Sequence, residues 1–406
     1  MKFSKMGQLF LVSTIGLLGA CLFTGCNLVT VDYIYLATSG ATTGCAGGQI
    51  ETFAVDSQSG AVRKAQPPVC SGGITPVALA VSPGYSNLYV ANSGDSSVVH
   101  FAVADNGILT QKDKVTLSSS PVSLAVNAGG NELFVASGSG GVATLTVYSL
   151  SNGTIGSVTS QQTLTIPGFA GDSVVPTGVA VLPDGAAVYV TAYDSAAYNP
   201  GGPVTSAANP GWIFGFNVNS GAVAPTGGSP YKAGVKPTAL AIDPTGRFVY
   251  VTDYASNQLI GYGVNSGEVL SFLLNGPFKS GFEPSSVAID PRGKFMYVSN
   301  ALDSTVTAYV IDLATGTPSV ALNVTGSSTN NTDTQPASIA VEPALGRFVY
   351  TANYLGSSIS GFRLDPTAGT LKQTQSTPYP TTDGASKPTA LVAVPHGNHA
   401  LQTVTP

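Results

Sequence analysis

Seven times along the chain a proline opens a short apolar run: Pro76-Val-Ala-Leu-Ala-Val, Pro121-Val-Ser-Leu-Ala-Val, Pro176-Thr-Gly-Val-Ala-Val, Pro237-Thr-Ala-Leu-Ala-Ile, Pro284-Ser-Ser-Val-Ala-Ile, Pro336-Ala-Ser-Ile-Ala-Val and Pro388-Thr-Ala-Leu-Val-Ala. Successive openings lie 45 to 61 residues apart. That period suits a four-stranded unit and exceeds the roughly 33–34 residues of helical ankyrin or tetratricopeptide repeats. A chain of such units cannot bury its apolar faces one unit at a time, so the units must stack.

Four beats recur inside each unit. The opening run ends in a turn such as Asp243-Pro-Thr-Gly246 or Asp290-Pro-Arg-Gly293, whose residues favour tight reversal. A second strand follows, as in Leu88-Tyr-Val-Ala-Asn92 and Val249-Tyr-Val-Thr-Asp253. The third strand alternates, as in Val98-Val-His-Phe-Ala-Val103, and closes on a glycine hairpin at Gly107, Gly153, Gly221, Gly267, Gly316 or Gly369. No window holds a sustained 3.6-residue period, so helices should be nearly absent. The first strands, Tyr33–Ala37 and Ile50–Val55, lack an opening beat, whereas Thr389–Ala393 is an opening beat without followers. The sequence therefore predicts an all-β, seven-bladed β-propeller with four-stranded antiparallel blades, closed by N- and C-terminal strands in one blade. Closure removes exposed sheet edges. Ala400–Val404 reads as a surplus strand with no place in this scheme.

Charged residues form only 9% of the 406, against about 25% in ordinary soluble domains. The 16 Lys and Arg form no cluster and are outnumbered by 21 Asp and Glu, which argues against a nucleic-acid surface. Three His and four Cys leave little material for a metal centre, so neither a cofactor nor a metal is expected.

The N-terminus carries an address. Lys2 and Lys5 precede an apolar stretch from Leu9 to Phe23, which fits a secretory signal over residues 1–25 better than a membrane span. Its end, Leu22-Phe-Thr-Gly-Cys26, resembles a bacterial lipobox, implying a lipid on Cys26, with Cys21 as the alternative. The expectation is an exported protein of one propeller domain, residues 26–406, held in the cell envelope by its acyl chains. The outer membrane, facing periplasm or surface, is the expected site. The two remaining cysteines, Cys45 and Cys70, read as a disulfide in such a compartment.

The repeats resemble the YVTN-type β-propeller and, more broadly, the lactonase family that includes 6-phosphogluconolactonase, over about residues 31–404. In that family some blades open Gly-Pro-Arg-His, which implies a cation for the carboxylate or oxyanion and an imidazole to activate water. Here the two residues after each opening proline are Val77-Ala78, Val122-Ser123, Thr177-Gly178, Thr238-Ala239, Ser285-Ser286, Ala337-Ser338 and Thr389-Ala390, with neither Arg nor His among them. His100, inside a third strand, reads as a packed or surface residue, and His396 and His399 as a terminal turn.

What remains is a ring of polar residues near the ends of the second strands: Asn92, Asp95, Asp194, Asp253, Asn300, Asp303 and Asn353. Gathered on one face, they offer oxygen ligands for a cation or a polyhydroxylated molecule; alternatively they cap turns. The longest insertion, Tyr193 to Trp212, adds Tyr193, Tyr198 and the single Trp212, aromatics suited to carbohydrate or protein recognition. With the catalytic pair missing, the sequence points to an envelope-anchored binding or scaffolding module, with carbohydrate or an envelope protein as partner. A lactone hydrolase using other groups, such as Asp194, Asp253 and Asp303, is the second reading, and a structural surface component the third.

Overall fold

The structure, a computed structural model, describes residues 29–40, 44–45, 47–166, 173–198, 210–323, 325–382 and 386–397. Cys21, Cys26, His399 and residues 400–404 lie outside them. The described residues contain strands and turns and no α-helix. Seven antiparallel sheets follow one another. In the first, Pro388–Pro395 is innermost and pairs with Thr30–Thr38, which pairs with Gln49–Asp56 and then Val62–Cys70. The C-terminal strand thus completes the N-terminal blade, with Tyr35 opposite Val392 and Ile34 opposite Ala393. The six other innermost strands begin at Pro76, Ser120, Val174, Pro237, Pro284 and Pro336. Each touches the next around the ring, including Pro388–Pro395 against Pro76–Val81. The blades are numbered 1 to 7 from the one holding both termini.

Burial follows from the stacking. The second strands Phe248–Asp253, Phe295–Asn300 and Phe348–Asn353 are buried at every residue, because a blade lies on each face. Outer strands such as Leu109–Thr116 are largely exposed. The apolar residues form seven separate cores, one at every blade–blade interface, including the closing interface between blades 7 and 1 (Val31, Ile34, Phe53, Phe348, Ile359).

The tyrosine of the second beat now has a physical role. Its hydroxyl donates to a backbone carbonyl in the third-to-fourth-strand hairpin of the next blade: Tyr35 to Gly107, Tyr89 to Gly153, Tyr189 to Glu268, Tyr250 to Gly316, Tyr297 to Gly369 and Tyr350 to Gly60, over 2.6–3.2 Å. The Tyr350 bond spans the closing interface. Blade 3 has Phe134 at this position, and there Thr159 supplies the hydroxyl to Gly221. The hairpin glycine is required by the same contact: Gly316 has φ 73°, and a Cβ there would run into the Phe248 ring.

In blades 4 to 7 the outer strand comes in two pieces, the second being Tyr231–Lys232, Phe278–Lys279, Thr329–Asn331 or Tyr379–Pro380. A disulfide joins Cys45 and Cys70, with Cα atoms 5.2 Å apart, and ties the loop between the first two N-terminal strands to the end of the outer strand of blade 1.

Candidate active site at the mouth of the propeller

Strand register decides which groups share a face. Pro237 pairs with Asp253, and Gln258 with both Asp253 and Lys279. The residue before the opening proline, the end of the second strand and the turn into the third strand therefore lie together at one end of the blade. Repeated seven times, this end forms the mouth of the central opening.

The polar ring read from the sequence lies here, and most of its hydrogen-bonding capacity goes to the turns. Asp253, wholly buried, accepts from Val235 N, Lys236 N and Gln258 Nε2 at 2.9–3.0 Å. Asp194 accepts from Ser173 N and Ala196 N, and Asp303 from Phe282 N and the Thr305 hydroxyl. Asp95 accepts from Ile74 N, Ser97 and Lys114 Nζ; burial alone would raise its pKa, but these donors hold the carboxyl below the usual range. Asn300 donates to Thr305 and Thr307 and accepts from Ser280. Asn353 donates to Ser358 and Ser360 and accepts from Thr351. Asn92 reaches the Ser71 carbonyl. Asn300 and Asn353, fully buried, cross to their own third strand and lock the turn.

The two insertion tyrosines do come together. Tyr193 and Tyr198 meet edge to face with centroids 5.5 Å apart. Trp212 stands elsewhere, on the third strand opposite Ala192, packed against the core between blades 3 and 4 and covered by Lys232 Nζ at 3.5 Å from its ring.

Lys236, Glu283 and Tyr254 were not among the residues singled out from the sequence. Lys236 and Glu283 immediately precede the opening prolines of blades 5 and 6, and Tyr254 follows the second strand of blade 5. All three are half-buried. The Lys236 ammonium sits 4.5 Å from the Tyr254 ring centre, 5.1 Å from Tyr198 and 5.8 Å from Tyr193. Burial pulls the Lys236 pKa down, against the opposing Glu283 charge. Burial, then the nearby Glu283 carboxylate, pushes the Tyr254 phenol up, so it stays protonated across the physiological range. Across the mouth, Lys387 repeats the arrangement more loosely, 6.0 Å from the Tyr354 ring. The available signal was positional: each lysine stands one residue before an opening proline.

The positions where lactonases carry Arg and His hold the ring together instead. Thr238, Ser285 and Thr389 each donate to the carbonyl of the next blade's opening proline, at 2.6–2.8 Å. One residue on, Ser123 and Ser338 accept the Val179 and Leu391 N–H groups of the next blade. His100 is buried, stacked on Tyr89 and held between Asp113 and Asn87 at 2.7 and 2.8 Å, far from the mouth in its blade's register. The described part of the terminal turn, His396, lies against Tyr33.

Fold and mouth together define a seven-bladed propeller of lactonase type with an altered opening. The sequence profile described as "Lactonase, 7-bladed beta-propeller" matches residues 35–194, 215–328 and 239–398, and the chain belongs to that family. Among solved structures it is similar to the periplasmic gluconolactonase of Pseudomonas aeruginosa, with 18% identity and a TM-score of 0.73 over 91% of this chain and 100% of that one. It is also similar to putative 6-phosphogluconolactonases of Bacteroides uniformis (19%, TM-score 0.71, 90% and 100% covered) and Bacteroides fragilis (21%, 0.69, 91% and 99%). At these identities the likeness is one of fold. No curated protein matches the chain.

Proposed function

We propose that the protein hydrolyses sugar lactones at the mouth, on the face that carries the second-to-third-strand turns. The observation that carries this reading is the half-buried group of Lys236, Tyr254 and Glu283, set where the inner strands open in a chain of the lactonase family. A lactone needs a partner for the charge developing on its carbonyl oxygen and a group to take a proton from water. A cation and a carboxylate a few residues from the opening suit both needs, and the neighbouring tyrosine rings suit the apolar face of a sugar.

One observation favours a second reading, a saccharide-binding module of the envelope: neither Arg nor His follows any opening proline, and in that place Thr238, Ser285 and Thr389 are engaged between blades. Turnover separates the two. D-glucono-δ-lactone incubated with the protein and followed by acid release should be consumed faster than its spontaneous hydrolysis. Saturable binding of lactones and their open-chain acids without turnover supports the module instead.

We further propose export and lipid attachment at Cys26, with Cys21 as the alternative. The Cys45–Cys70 disulfide supports export. Mass spectrometry of the mature N-terminus tests the attachment: an acylated cysteine is expected, and an unmodified one contradicts it.

A further inference from the structure

We infer that Glu283 acts as the general base and Lys236 as the oxyanion partner, with Tyr254 as the residue whose ring positions the Lys236 ammonium, an assignment that rests on the lactonase reading above. Position is the first argument. The residue before the opening proline adopts left-handed backbone at four of the seven openings: Thr75 (φ 58°), Glu283 (54°), Gln335 (57°) and Lys387 (49°). The family motif places Gly here, the residue for which that conformation costs nothing. The occupants of these four openings are all polar, and a non-glycine side chain in such backbone costs on the order of 1 kcal/mol. The strained backbone thus sets four polar side chains on the mouth.

The second argument is how firmly the groups are held. Asp253 fixes the Lys236 backbone by accepting its N–H at 2.9 Å, and the Lys236 carbonyl accepts Tyr254 N at 2.9 Å. Glu283 N donates to the Asn257 side chain at 2.8 Å, and the Glu283 carbonyl accepts Ala301 N at 2.8 Å. Among the described residues the ion pairs are His100–Asp113, Lys114–Asp95 and Arg292–Asp290, so the Lys236 ammonium touches aromatic faces rather than a carboxylate. A cation kept on rings, with a carboxylate near but not neutralising it, is free to take up charge formed on a substrate.

The chemistry balances without a further reactant. Water adds through oxygen to the lactone carbonyl carbon as its proton passes to the Glu283 carboxylate, and the carbonyl electron pair moves to oxygen, beside the Lys236 ammonium. Collapse of this adduct re-forms C=O and breaks the ring C–O bond. Glu283 returns its proton to the departing ring oxygen, leaving the hydroxy acid.

The test uses the full chain with D-glucono-δ-lactone, spontaneous hydrolysis subtracted, and thermal unfolding as the fold control. Glu283→Gln should lower kcat/KM by about 100-fold or more, in the range of a lost general base. Lys236→Met should lower kcat by a comparable factor with less effect on KM, and Lys236→Arg should restore part of it. Tyr254→Leu, which removes the ring beside the ammonium, should lower kcat by about 10-fold with less effect on KM, whereas Tyr254→Phe should keep most of the activity, a split a purely structural residue would not produce. The acid limb of the pH–rate profile should report one protonation in the wild type, which keeps the assignment testable if Glu283→Gln does not fold. Wild-type turnover with Glu283→Gln and Lys236→Met within about threefold of it, or with no acid limb, overturns this assignment and leaves the lactonase reading standing. A wild-type chain inert toward a panel of sugar lactones removes both.

Discussion

Replacing Tyr350 by Phe removes one hydroxyl from the interface that closes the ring, and the cost follows from its surroundings. Tyr350 is fully buried and donates at 2.8 Å to the Gly60 carbonyl, 290 residues away in sequence. Phe fills the same volume, so no cavity term enters. What is lost is one hydrogen bond, together with the desolvation of a carbonyl left without that donor, about 1–3 kcal/mol. Urea unfolding followed by fluorescence should show a lower midpoint at unchanged slope. Tyr148→Phe is the matched control. The residue is also buried, at 6% exposure, but its hydroxyl makes no hydrogen bond among the described residues, so that change should cost less than about 0.5 kcal/mol. Blade 3 offers the reverse comparison, since Phe134 already lacks the hydroxyl and Thr159 serves Gly221. Tyr350→Phe indistinguishable from Tyr148→Phe would refute the idea that the repeated tyrosine fastens each blade to the next.

Three further outcomes can be checked. Asp32 and Glu342 are fully buried across the seam of blades 1 and 7. Burial, then the Glu342 charge and hydrogen bond, pushes the Asp32 pKa well up, and burial also raises Glu342. Tyr85 and Tyr350 feel the Asp32 charge from adjoining blades. Because both folded pKa values exceed the unfolded ones, the protonated pair stabilises fully below about pH 4 and the contribution is lost as pH rises through the folded values. Urea midpoints should fall with rising pH, and Asp32→Asn should flatten that dependence; an unchanged slope contradicts the pairing. Reducing the Cys45–Cys70 bond, whose cysteines are 25 residues apart, should cost roughly 3–4 kcal/mol, read as the difference between urea midpoints with and without reductant. Gly316→Ala should destabilise by more than about 2 kcal/mol, since it combines positive φ with a collision against Phe248, whereas Gly267→Ala, at φ 72° with nothing near its Cβ, should cost only the backbone term of about 1 kcal/mol.

The blades were legible because their information is local and repeated: an opening proline, a turn, a buried second strand and a glycine hairpin recur within each unit. Ring closure was legible as well, since one half-unit at each terminus leaves the other's beats missing. The fastening of blades was not, because Tyr250 and Gly316 lie 66 residues apart, and only stacking shows that the repeated tyrosine and the repeated glycine are two halves of one contact. At the mouth, Asp and Asn drew notice because they recur, and recurrence marked what every blade needs: turn N–H groups and third-strand hydroxyls satisfied. Lys236 and Glu283 escaped notice because the position before the opening proline varies from blade to blade, holding Thr75, Ser120, Val175, Lys236, Glu283, Gln335 and Lys387 in turn. In a repeat fold the scaffold is written in what repeats, and specific chemistry in the exceptions.

The most direct measurement is the position of a bound, non-hydrolysable sugar lactam in a crystal of the protein. The account predicts the ring lying on Tyr254 and Tyr198, with its carbonyl oxygen toward Lys236 and Glu283 within reach of the carbonyl carbon. A lactam lodged instead in the roughly 870 Å³ cleft between blades 2 and 3 on the opposite face, lined by Ser82, Asn87, Asn131 and Gly153, would contradict it.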